Sequence, residues 1–173
     1  MNRIATGSLT LEPQTEAHAE EMFLVLSDPA IYEYENEPPP SLEWLRARFA
    51  ELESRFSPEG QEQWLNWVIR LPTSELIGYV QATVHSNGRA AIAYVLSSAH
   101  WGRGLARQAV QAMICELVEH YQVQSLSAVL KRANLRSLRL LERLGFSLSS
   151  PQQHLKHHVE PDELLMQREI RVK

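Results

Sequence analysis

The sequence predicts an α+β protein, a mixed α/β sandwich. Its mixed, mostly antiparallel sheet has about six to seven strands, flanked by about four helices. Three observations lead there. Strand-like alternation dominates the middle of the chain. Helical spacing dominates the stretches before and after it. The switch from one period to the other falls at Gly102.

Taken in order, Ser8–Glu12 alternates apolar and polar residues and reads as a short strand. From Thr15 to Ser27, residues Ala19, Met22, Phe23 and Leu26 recur at helical spacing, with Thr15 as the cap. Three prolines at 38–40 bar regular structure, and Ser41 caps a second helix running from Leu42 to Phe56. In Trp64–Leu71, residues Trp67, Ile69 and Leu71 alternate with Asn66 and Arg70. Glu75–His85 and Ala90–Leu96 form a hairpin through Ser86-Asn87-Gly88, and Asn-Gly is a strong hairpin signal.

From Ala106 to Tyr121 an apolar stripe marks an amphipathic helix of about four turns. Ser125–Leu130 is a buried strand. It lies parallel to Ala90–Leu96, since a helical crossover joins parallel neighbours. Leu135–Leu144 is a shorter helix stopped by Gly145. Strands from Phe146 and over Leu164–Val172 complete the chain.

A chain of 173 residues buries an adequate core in one domain, taken as 1–173. The net charge of −4 supplies no general field for nucleic acid, and an arginine-rich face from Arg132 to Arg143 reads as a solvated helix surface. The single cysteine, Cys115, sits among Met113, Ile114 and Leu117 as a small hydrophobe. Residues 1–7 lack the apolar core of a signal peptide, and no apolar run approaches the ~18–20 residues of a membrane span. The expected location is cytoplasmic, with no membrane partner. His154, His157 and His158 have no standard metal spacing, and no metal is expected.

The chemistry centres on Trp101-Gly102-Arg103-Gly104-Leu105-Ala106. This turn opens a long helix, whose first N–H groups lack intrahelical partners and carry the positive end of the dipole. Such a site suits a pyrophosphate. Gly102 and Gly104 permit positive φ and close approach of phosphate oxygens, and Arg103 and Arg107 add charged donors. A dinucleotide fingerprint is disfavoured, because its third glycine would fall at Arg107. A Walker A loop is excluded by the lack of Gly-Lys-Ser/Thr. A helix cap alone would explain Asn134 and Ser137 as well as a ligand contact would.

Three motifs occur in one order: Ala93-Tyr94 then Trp101–Ala106, Asn134-Leu135-Arg136-Ser137, and Leu144-Gly145-Phe146. Here the sequence resembles the GNAT superfamily of acetyl-CoA-dependent N-acetyltransferases. It is most similar to the branch of ribosomal-protein N-terminal acetyltransferases. The resemblance implies a GNAT fold that binds acetyl-CoA and acetylates an amine, either a peptide N-terminus or a small molecule. Gly102, Arg103, Gly104, Leu105, Ala106 and Arg107 would hold the pyrophosphate. A bulge around Val95–Ser97 would splay the strand, with the pantetheine arm on the backbone of Val95 and Ser97 and on Asn134. Ser137 would protonate the leaving thiolate. The acceptor is expected at Tyr32, Tyr34 and Glu35, with Trp64 and Trp67 nearby.

Two departures stand out. Relatives often carry Glu where this chain has Ala91, and Thr-Glu where it has Arg107-Gln108. Replacement bases could be Glu33, Glu35, Glu37 or His85. A catalytically silent acetyl-CoA-binding module and a nucleic-acid- or ribosome-associated factor using the Arg132–Arg143 face are the competing readings. Homodimerisation is left open.

Overall fold

The structure is a computed structural model that describes residues 1–34 and 36–170. Its sheet has eight strands in the order β1-β2-β3-β4-β5-β6-β8-β7. These are β1 (Ile4–Ala5), β2 (Thr10–Pro13), β3 (Glu62–Arg70), β4 (Leu76–His85), β5 (Arg89–Leu96), β6 (Ser125–Lys131), β7 (Ser147–Leu148) and β8 (Glu163–Glu169). The helices are α1 (Ala19–Val25), α2 (Leu42–Leu52), α3 (Leu105–Tyr121), α4 (Leu135–Arg143) and α5 (Pro151–Lys156). The β5–β6 pair is parallel and the other pairs are antiparallel.

The expected architecture is present, with one strand and one helix more than the upper expectation. The extra strand is β1, which has two residues. The extra helix is α5, in a stretch to which the sequence assigns no element. Ser150 caps it through Gln153 N–H and Pro151 starts it, and His154 Nε2 accepts from the Leu165 N–H at 3.0 Å. The segment from Thr15 is a 3-10 turn (Glu16–His18) followed by α1. Ser41 caps α2 through Trp44 N–H, as its position predicts. Residues 171 and 172 of the expected last strand lie outside the described residues.

Alternation along β3, β4 and β5 divides the core. One face carries Leu65, Trp67, Ile69, Val80, Ala82 and Ile92, packed on α3 through Val110, Met113 and Leu117. The opposite face carries Val68, Leu76 and Val95 under Ala19 and Met22 of α1 and Leu45 and Phe49 of α2. Trp67 is therefore a fully buried core residue, its Nε1–H donating to the Asn2 carbonyl at 2.9 Å. It is not an acceptor contact. Among the described residues, no helix is long and apolar enough to cross a membrane.

Candidate functional site

β5 and β6 separate within one molecule. Their parallel pairing covers Arg89↔Ser125, Ala90↔Leu126 and Ala91↔Ser127, while β5 continues to Leu96 beside β4. The last five residues of β5 thus lack a strand partner on the β6 side. The expected splay is present and begins earlier than Val95. The backbone is distorted at Val95 itself: its carbonyl oxygen lies 2.0 Å from where a Cβ would stand on Gly78. A Cβ projects off a sheet face, so that carbonyl has turned out of the hydrogen-bonding plane. Only glycine tolerates this at position 78. Gly78 was missed in the motifs, although a glycine inside an apolar strand is a signal for a bulge or close approach.

Ser97 differs from its expected role. Its N–H donates to the Ile77 carbonyl at 2.8 Å, so that amide is committed to β4. The Leu96 carbonyl accepts the Trp101 indole N–H at 2.9 Å.

Beyond the gap lies the glycine turn. Gly102 and Gly104 have φ of 73° and 74°, and Gly104 is the N-cap of α3. A Cβ on either would meet nothing within 4 Å, so open space faces the turn. The first intrahelical bond runs from Gln108 N–H to the Gly104 carbonyl at 3.1 Å. The N–H groups of Leu105, Ala106 and Arg107 precede it and lack intrahelical acceptors. The Leu105 side chain is buried in the core, whereas Arg103 and Arg107 are exposed. Arg103 Nη1 donates to His100 Nδ1 (3.2 Å), which assigns the other ring N–H, on Nε2, to Glu75 (3.2 Å). These unpaired amides, open space and two guanidinium groups fit the pyrophosphate of a coenzyme A.

A small cavity of about 80 Å³ lies against this gap. Its walls include Tyr94, Val95, Trp101, Ala106, Asn134 and Ser137. Asn134 caps α4, its Oδ1 accepting the Ser137 N–H at 3.1 Å. The cap leaves the Asn134 amide hydrogens for other partners. Ser137 Oγ lies 2.5 Å from the Tyr94 hydroxyl. The Arg136 guanidinium stacks 3.6 Å from the centroid of the Trp101 ring.

A larger cavity, about 540 Å³, opens between α2 and the strands β3, β4 and β5. Gln14, Tyr32, Glu37, Trp64, Asn66 and Gln81 are among the residues that line it. The two cavities share two walls, Ile31 and Val95. Of the expected acceptor residues, Tyr32 and Trp64 are here, and the Tyr32 hydroxyl donates to the Leu26 carbonyl at 2.5 Å. Tyr34 lines the smaller cavity instead, its phenol held above the ordinary value by a hydrogen bond with Glu33. Glu35 lies outside the described residues.

Among the candidate bases, Glu37 borders the larger cavity. His85 pairs with Glu62 at 3.4 Å on a different surface, and Glu33 faces a third depression with Lys131. Ala91 and Ala93 are exposed, opposite Thr83 and Gln81. One carboxylate braces the shared wall. Asp28 accepts the Ser98 N–H (2.8 Å) and the Ala30 N–H (3.0 Å). Hydrogen bonds from Ser98 hold its carboxyl below the ordinary range.

A single-parallel-pair sheet split beside a helix N-terminus defines the class of acyltransferases with the GNAT fold. The acetyltransferase (GNAT) domain model matches residues 8–147, and the chain belongs to that family. An uncharacterized N-acetyltransferase of Bacillus licheniformis, p20, is 29% identical over 148 residues, 84% of this chain and 83% of that protein. RimL, a ribosomal α-N-protein acetyltransferase solved with coenzyme A, superposes with a TM-score of 0.82 at 18% identity. That alignment covers 98% of each chain. An acetyl transferase of Salmonella typhimurium, which modifies the N-terminal serine of a ribosomal subunit protein, gives 0.81 at 18% identity. It covers 98% of this chain and 100% of that one.

Proposed function

We propose that this chain is a single-domain N-acetyltransferase, carrying an acetyl group from acetyl-CoA to a primary amine of a peptide N-terminus or a small molecule. The observation that carries this reading is the pair of cavities that meet at Ile31 and Val95, one at the β5–β6 gap and one over β3, β4 and β5. One side suits a thioester arm and the other an amine.

On this reading the backbone amides of Leu105, Ala106 and Arg107 hold the pyrophosphate, with Gly102 and Gly104 giving it access and Arg103 and Arg107 adding charge. The splayed end of β5, with Val95 and Leu96, lies along the pantetheine, and Asn134 bonds it through its amide. When bound, acetyl-CoA supplies an activated thioester. Ser137 Oγ gives a proton to the departing thiolate, the Tyr94 hydroxyl, 2.5 Å away, restores it, and solvent reprotonates Tyr94. Tyr32 flanks the incoming amine. Ala91 offers no carboxylate, so the amine proton leaves to water or through Glu37 at the cavity rim. An α-amine with a pKa of about 7.7–8 needs less help than a lysine at about 10.4.

Thiol release from acetyl-CoA, followed across a panel of amines and peptides with different first residues, tests this. Acceptor-dependent release is expected. If acetyl-CoA raises the melting temperature and no amine accelerates release, the chain is a silent binding module.

A further inference from the structure

The larger cavity contains a feature that the transfer chemistry does not use. Gln14, the residue after β2, lies beside Asn66 of β3, its N–H donating to the Asn66 carbonyl at 2.9 Å. Asn66 lies opposite Gln81 of β4, and Gln81 opposite Ala93 of β5. Three carboxamides therefore stand side by side across the sheet, and all three line the cavity. Ala93 is two residues before Val95, so the row ends one strand repeat from the wall shared with the smaller cavity.

Two of these side chains are deeply buried: Gln14 is 3% exposed and Asn66 5%. Gln14 Nε2 has no hydrogen-bond partner among the described residues. A buried amide nitrogen without an acceptor is costly, and native structures keep few of them. Gln14 lines the cavity, and a turn of its side chain would offer this nitrogen to an oxygen on something that enters. The charge around it narrows the choice. Among the described residues, the charged ones on the cavity wall are Glu37, exposed at the rim, and Arg48. Arg48 is already engaged, bonding Glu51 at 2.6 Å and lying 5.6 Å from the Trp64 ring centroid. The Arg55 guanidinium bonds the Gln14 carbonyl from outside the cavity wall, so a ligand carboxylate or ammonium on the floor would be desolvated with no counter-ion on that wall. An uncharged group with both a donor and an acceptor would find both in a carboxamide row.

We infer that Gln14, Asn66 and Gln81 read an uncharged amide in the body of the acceptor, and select it over a carboxylate or an alkyl chain. This rests on the larger cavity being the acceptor site.

The test uses acetylated products, so that amine ionisation and turnover play no part. Binding of N-acetyl-leucinamide, N-acetyl-leucine and N-isopentylacetamide to the full chain is measured by calorimetry, with and without coenzyme A. The leucinamide product is expected to bind at least ~10-fold more tightly than the other two, one good charge-free hydrogen-bond pair accounting for that ratio. Gln14→Leu, and separately the half-buried Gln81→Met, should cut the preference to within ~2-fold while leaving coenzyme A affinity unchanged. Equal binding of the three compounds to the unmodified protein overturns the inference, as does a preference that survives both substitutions, which would assign the Gln14 amide to a structural water. Loss of coenzyme A binding alone counts against the proposed function, while the amide preference is still read on the chain without it.

Discussion

The two sides of β5 are built from different materials. The cofactor-side cleft is made of backbone: unpaired helix N–H groups, two glycines at positive φ and a displaced carbonyl. The larger cavity is made of side chains drawn from α2, β3, β4, β5 and the segments after β2 and α1. Backbone sites demand particular residues at fixed spacing in one stretch of chain. Side-chain sites can be assembled from positions far apart, and their identity can vary without loss of fold.

The sharpest way to break this contrast is at Gly78, whose importance is purely geometric. Gly78→Val places a side chain against the Val95 carbonyl. It should cost about 2–3 kcal/mol, or roughly 5–10 °C in Tm, and abolish measurable transfer. A variant that retains activity would show that the displaced carbonyl is not needed. Next in size is Ser137→Ala, for which kcat should fall by ~10²-fold with little change in KM for acetyl-CoA. Tyr94→Phe should give a smaller fall of the same kind, about 10-fold. An unchanged kcat in both would remove Ser137 from the chemistry and leave it as a neighbour of the Asn134 cap.

Gly104→Val tests the backbone side directly. A β-branched residue at φ 74° is strained by roughly 1–2 kcal/mol, and its Cβ would fill the open approach. Acetyl-CoA affinity should fall by ~10-fold or more, while acceptor KM stays within ~2-fold. If the acceptor KM moves instead, the division of labour between the two faces is wrong. The smallest effect concerns Asp28, which braces the wall common to both. Its folded pKa is depressed, so its bonds to Ser98 and Ala30 stabilise the fold above the unfolded value of about 3.9 and are lost as pH falls through the folded value. Urea titrations should show Asp28→Ala less stable than the parent at pH 6, with the gap closing below about pH 4.

The same contrast explains what was legible in the sequence. The Asn-Gly hairpin, the Ser41 cap, the Gly102–Ala106 turn and the parallel crossover are local, and each was placed correctly. Trp67 was misjudged as a ligand contact because alternation tells which residues share a face and not which helices cover it. Asn66 illustrates the converse: it read as the polar side of β3, yet α1 and α2 cover that side and leave it 5% exposed. Helix α5 was hidden because its six residues present no apolar stripe, only a capping Ser150 and Pro151. The carboxamide row required the strand register, which no single segment carries.

The four tryptophans are distributed so that the molecule carries its own optical labels. Trp101 lies in the smaller cavity beside Arg136, Trp44 and Trp64 border the larger one, and Trp67 is sealed in the core. Occupation of one cleft should therefore alter the emission of one indole, occupation of the other that of a separate pair, over a constant background from Trp67. Trp101→Phe should silence the response to coenzyme A and spare the response to acceptor, so that the order in which the two partners arrive can be timed by stopped-flow without any added dye.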